Sequence, residues 1–112
     1  KDRVADLYQP MHPAVISMIR ETVEAAHRNN IWCGVCGEAA SDLTMTPVWV
    51  GLGVDELSVG SAQLLKTRKA ISLLSTEECT ELMETLRTAG TEDTVKGLCR
   101  EFAETAYPEL LY

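Results

Sequence analysis

A chain of 112 residues has room for one small domain, which would bury roughly two-thirds of its unfolded surface. With 46% hydrophobic residues but a single Phe, the core must be built from Leu, Val, Ile, Ala and Met. A net charge of −7 leaves no basic stripe, which argues against nucleic acid and anionic membrane surfaces as partners. The longest nearly apolar run, Pro47–Val54, is too short to span a bilayer, so a soluble cytoplasmic protein is expected.

Pro10 and Pro13 restrict the residues before them, so Tyr8–Pro13 should be extended, with Pro13 in the first turn of a helix. Val15, Ile16, Ile19, Val23 and Ala26 form one apolar stripe at helical spacing, with Arg20, Glu21, Glu24 and Arg28 largely off it. Asn29-Asn30 is a left-handed stop. Ile31–Cys36 reads as a short strand, Gly37–Ser41 as a loop, and Asp42 as the cap of a helix to about Val50, ended by Gly51-Leu52-Gly53. Glu56–Val59 is a second strand and Ser61–Leu74 a third helix, basic in its later part as the helix dipole prefers.

Ser75-Thr76-Glu77-Glu78 is a capping box, and Cys79, Leu82, Met83 and Leu86 give the next stripe, closed by Gly90. Thr91 starts a last helix with Val95, Leu98, Cys99 and Phe102 inward, and Pro108 ends it. The order predicts two α/β units over residues 1–74 and terminal helices over residues 75–112. Strands separated by a helix should be parallel, and two of them do not make an independently stable sheet. With a start at Lys1 rather than Met, the expectation is the last quarter or so of a larger α/β fold.

Ile31-Trp32-Cys33-Gly34-Val35-Cys36-Gly37-Glu38 carries the chemistry, and it allows two readings. Cys33 and Cys36 have the spacing of a thiol–disulfide exchange motif, which would make the chain an oxidoreductase or interaction module. On a strand, however, they would lie about 10 Å apart, and a disulfide needs Cα atoms within about 7 Å. That motif works at a helix N-terminus, and the Gly37–Ser41 loop is poor material for one. Alternatively, Cys36 is a single acid–base cysteine at the end of a buried strand. Cys79 and Cys99 are lone cysteines on separate helices, expected as buried hydrophobes rather than zinc ligands. Gly51-x-Gly53 is a turn, since Glu56 stands where a dinucleotide fingerprint wants Gly. His12 and His27 are isolated, and structural or solvated roles are expected for both.

Leu7-Tyr8-Gln9-Pro10-Met11-His12-Pro13-Ala14-Val15, Gly34-Val35-Cys36-Gly37-Glu38 and Gly51-Leu52-Gly53-Val54-Asp55-Glu56-Leu57-Ser58 occur in that order. They resemble the C-terminal end of the enzyme I family of the bacterial phosphotransferase system, the phosphoenolpyruvate–protein phosphotransferases. The likeness runs from about Lys1 to Ile71, and the tail from Ser75 to Tyr112 is much less diagnostic. Val35 stands where Met is common, Ser41 where Gly is common and Gly60 for a usual Ser, and the family does not require Cys33.

The resemblance implies the last two strands, with their helices, of a TIM (β/α)8 barrel that binds phosphoenolpyruvate at the C-terminal ends of its strands. It implies an enzyme that passes the phosphoryl group of phosphoenolpyruvate to a histidine at the start of sugar transport, with Cys36 protonating the pyruvate enolate. A free thiol is mostly protonated at neutral pH and can act as an acid. A nearby carboxylate such as Glu38 should discourage loss of that proton, while Gly34 and Gly37 leave space for a ligand beside the backbone. The Mg2+ ligands, the phosphate-binding arginines and the phosphorylated histidine are expected upstream of Lys1, and Arg3 does not replace the last of those arginines. The phosphocarrier protein HPr, met through an N-terminal domain, and a second copy in a homodimer are the expected partners. The 112 residues alone are expected to be inactive.

Overall fold

A computed structural model describes residues 10–112, so Arg3, Tyr8 and Gln9, with their part in the sequence reading, lie outside the described residues. The elements run α1 (Pro13–Arg28), β1 (Gly34–Cys36), α2 (Glu38–Ser41), α3 (Thr46–Leu52), β2 (Glu56–Ser58), α4 (Ser61–Ser72), α5 (Thr76–Leu86), α6 (Glu92–Ala106) and α7 (Pro108–Leu111). This is a helix-rich α/β arrangement around one two-stranded parallel sheet, in register Gly34↔Glu56, Val35↔Leu57 and Cys36↔Ser58.

Pro10 and Met11 form a turn ahead of α1 rather than extended chain, and it buries Met11. His12 then caps α1, its Nδ1 accepting the Ala14 N–H at 3.1 Å, with Pro13 at the first helical position. The helix ends where Asn30 adopts φ 57°, a left-handed stop. Ile16 and Val23 on its apolar stripe are fully buried, whereas Val15, Ile19 and Ala26 are half-buried. Ile31 donates its N–H back to the Ala26 carbonyl at 2.9 Å, and strand pairing begins only at Gly34. The expected strand from Ile31 is therefore cut to three residues, and β2 is equally short.

Asp42 does not cap a helix. Thr44 donates its N–H and its hydroxyl to Asp42 Oδ1, at 3.0 and 2.7 Å, which makes a local turn. The helix starts at Thr46 because Pro47 has no N–H to give and fits only in a first turn. The expected loop over Gly37–Ser41 instead winds into the short helix α2, where Ala39 and Ala40 are buried. Ser75 and Thr91 cap α5 and α6 through their hydroxyls, which accept from Glu78 N–H at 3.3 Å and Thr94 N–H at 3.2 Å. Pro108 ends α6 and also opens α7, which turns back so that Tyr112 lies under the Arg100 guanidinium, 5.9 Å from its ring centre.

Helices α3 and α5 form the main core, where Met45, Val48 and Trp49 pack with Leu82, Met83, Leu86, Val95 and Cys99. A smaller cluster joins Leu43, Ala70, Ala103 and Tyr107. Of the strand residues, Val35 and Leu57 pack onto the main core, while Gly34, Cys36, Glu56 and Ser58 are exposed. The strand expected to be buried is thus half open, because a two-stranded sheet has no second layer over its other face. Just before β1, Trp32 is 65% exposed and Ile31 is exposed, and Met18 on α1 and Leu65 on α4 are exposed as well. Among the described residues, no helix is long and apolar enough to cross a membrane.

Candidate functional site at the strand ends

Cys36 is the last residue of β1, an exposed free thiol directly opposite Ser58. Gly37 follows with φ 81° and ψ −160°, a conformation that costs any residue with a Cβ, and nothing lies within 4 Å of where that Cβ would be. The chain then turns sharply into α2, whose first residue is the exposed Glu38. Cys36, Gly37 and Glu38 therefore share the C-terminal end of the sheet. Gly34 lies at the other end of the same strand, where a methyl group would press on the Trp32 ring at 3.3 Å and approach the Glu56 carbonyl oxygen at 3.6 Å.

Two buried side chains fasten the segment after Cys36. The Trp49 indole N–H donates to the Ala39 carbonyl at 3.0 Å, and the Tyr107 hydroxyl donates to the Leu43 carbonyl at 2.6 Å. Burial pushes the Tyr107 hydroxyl well above the ordinary tyrosine range, so it remains protonated and remains a donor. The sequence carried no local signal of either contact, because Tyr107 and Leu43 are 64 residues apart.

The opposite end of the sheet holds a second polar group. His27 Nε2 meets Asp55 Oδ2 at 2.7 Å, the Cys33 N–H donates to the same oxygen at 2.8 Å, and the Asp55 N–H donates to the Cys33 carbonyl at 2.9 Å. His27, isolated in the sequence, is thus the partner of an aspartate 28 residues away, and the pair ties the end of α1 to the starts of both strands. The hydrogen bond from His27, then that from Cys33, holds the Asp55 carboxyl below its ordinary value of 3.8. A depressed folded-state value gives stability that is whole above about pH 4 and is lost as pH falls through the folded value. Asp55→Asn should therefore lower Tm at pH 6, and the gap to the parent should be narrower at pH 3. A gap of the same size at both pH values would show that the charge contributes nothing.

The two cysteines of the octapeptide accordingly have different surroundings. Cys33 is half-buried and borders an apolar groove of about 510 Å3 with Val15, Ile19 and Val23 of α1, whereas Cys36 stands exposed where β1 ends. Both are free thiols. Cys79 and Cys99 are buried in the core, and burial pushes their thiols up to about 11 and about 12, which leaves them unreactive at neutral pH. No three His, Cys, Asp or Glu side chains among the described residues come together as a metal-binding group.

Residues 1–76 match the family described as PEP-utilising enzyme, PEP-binding domain. The chain is 38% identical over 105 residues to the phosphoenolpyruvate-protein phosphotransferase of Staphylococcus carnosus, covering 94% of this chain and 18% of that protein. It is 43% identical over 84 residues to the protein of that name from Latilactobacillus sakei, covering 75% of this chain and 15% of the relative. A Staphylococcus aureus relative of the same name is 37% identical over 103 residues, covering 92% of this chain and 18% of the relative. The chain thus spans less than a fifth of the length of these relatives.

Proposed function

The chain belongs to the PEP-utilising enzyme family, within the PEP-binding domain, and from that membership we propose that it forms one side of the substrate site of a phosphoenolpyruvate–protein phosphotransferase. On this reading its two strands are the last two of a TIM (β/α)8 barrel, and substrate meets them at their C-terminal ends, where such barrels carry their chemistry. The observation that carries the reading is the exposed Cys36 thiol at that end of a parallel strand, followed at once by a left-handed glycine.

The phosphoryl group leaves phosphoenolpyruvate for a histidine on another part of the protein, and the enolate of pyruvate remains. The Cys36 S–H bond breaks, its proton forms the new C–H bond of the pyruvate methyl group, and the thiolate recovers a proton from water. Gly37, directly after the thiol's residue, has open space where a side chain would stand. On the same reading, Mg2+ would be held by residues of the barrel outside this chain. The phosphorylated histidine would hand its phosphoryl group to HPr, the protein would act in the cytoplasm at the head of a sugar phosphotransferase system, and it would pair as a homodimer.

The test splices this chain in place of the matching stretch of the Staphylococcus carnosus relative, 105 residues at 38% identity. The spliced protein should release pyruvate from phosphoenolpyruvate and become phosphorylated, while the 112-residue chain alone should give no calorimetric signal with phosphoenolpyruvate and Mg2+. Tight, Mg2+-dependent binding by the chain alone, or a folded splice that makes no pyruvate, would contradict the reading.

A further inference from the structure

We propose that Tyr107, at the junction of α6 and α7, is a positioning residue for the Cys36 thiol, so that the helical tail sets where the proton donor stands. This rests on the proton-donor reading of Cys36. The thiol is exposed and the space beside Gly37 is open, so its place is set by the backbone on either side of it: the pairing with Ser58 and the segment that follows. That course runs through the α2 turn, closed by Ala40 N–H on the Gly37 carbonyl at 3.2 Å, to Leu43. At Leu43 the segment meets the tail. The Tyr107 hydroxyl holds the Leu43 carbonyl at 2.6 Å, and the Leu43 side chain packs with Ala70 of α4, Ala103 of α6 and the Tyr107 ring.

Tyr107 is 1% exposed, so water cannot replace its hydroxyl. Removing the oxygen would leave the Leu43 carbonyl without this partner in an apolar cluster, and the segment would shift to find another. A displacement of about 1 Å at a reacting group is enough to cost on the order of a hundredfold in rate. Trp49 holds the middle of the same segment from the main core, which leaves its far end to the tail.

The spliced phosphotransferase described above is the vehicle for the test. Tyr107→Phe should lower kcat for pyruvate release about tenfold or more and leave KM for phosphoenolpyruvate within about threefold. Val95→Ala, in the other cluster, should lose at least as much thermal stability and keep kcat. In the 112-residue chain itself, amide exchange over Ala39–Leu43 should quicken in Tyr107→Phe relative to Val15–Val23, and not in Val95→Ala. Parent-like kcat in Tyr107→Phe, an equal kcat loss in Val95→Ala, or unchanged exchange over Ala39–Leu43 would each overturn the proposal. Cys36→Ala in the same vehicle separates the two ideas. If it is inactive while Tyr107→Phe is parent-like, positioning fails and the acid stands; if it is fully active, the acid itself fails.

Discussion

Gly51→Ala is expected to destabilise the chain by about 1–3 kcal/mol, a fall in Tm of roughly 5–15 °C for a domain of this size. A glycine inside a helix ordinarily gains up to about 1 kcal/mol when replaced by alanine, so the expected sign is reversed. The cause is the contact between α3 and α5. A Cβ on Gly51 would stand 2.5 Å from Met83 Cγ and 2.6 Å from the Cys79 carbonyl oxygen. Met83 can swing aside, but the Cys79 carbonyl is helix backbone, and yielding would part the two helices that form most of the core. Gly97, in the middle of α6 with open space where its Cβ would be, is the control. Gly97→Ala should raise Tm by a few degrees. Thermal melts of the two variants beside the parent decide it, and a stabilised Gly51→Ala would mean that α3 and α5 are not in close contact.

Gly51 also shows what could be read from the chain and what could not. The sequence placed a helix end at Gly51-Leu52-Gly53, and the left-handed Gly53 at the end of α3 agrees. It held no sign that Gly51 faces a backbone carbonyl 28 residues on. Local patterns carried the elements whose cause is local. The stripe of α5, the Ser75 and Thr91 starts and the Asn30 stop appear where periodicity and capping put them, and the two strands pair in parallel as their strand–helix–strand order requires. Helix α3 starts at Thr46 and not at Asp42, because Pro47 fits only a first turn and Asp42 closes a turn of its own with Thr44. In the candidate site, Cys36-Gly37-Glu38 was legible as three consecutive residues. Its supports were not, because the bonds from Trp49 to Ala39 and from Tyr107 to Leu43, and the His27–Asp55 pair, join residues that only the folded chain brings together.

The largest effect on activity is expected from Cys36→Ala. In a phosphotransferase completed by this chain, loss of a positioned general acid should slow pyruvate formation about 10²–10⁴-fold. Cys33→Ala removes a half-buried sulfur at the other end of β1, beside the Asp55 pair and the apolar groove, and should cost no more than a small packing change. A dithiol site would make the opposite demand, because exchange between two sulfurs fails when either is missing. The direct measurement is pyruvate release in a single turnover by the two variants, with and without reductant. The proton-donor account predicts a slow Cys36→Ala, a Cys33→Ala close to the parent, and no effect of reductant on either. Equal, reductant-sensitive losses in both variants would contradict it.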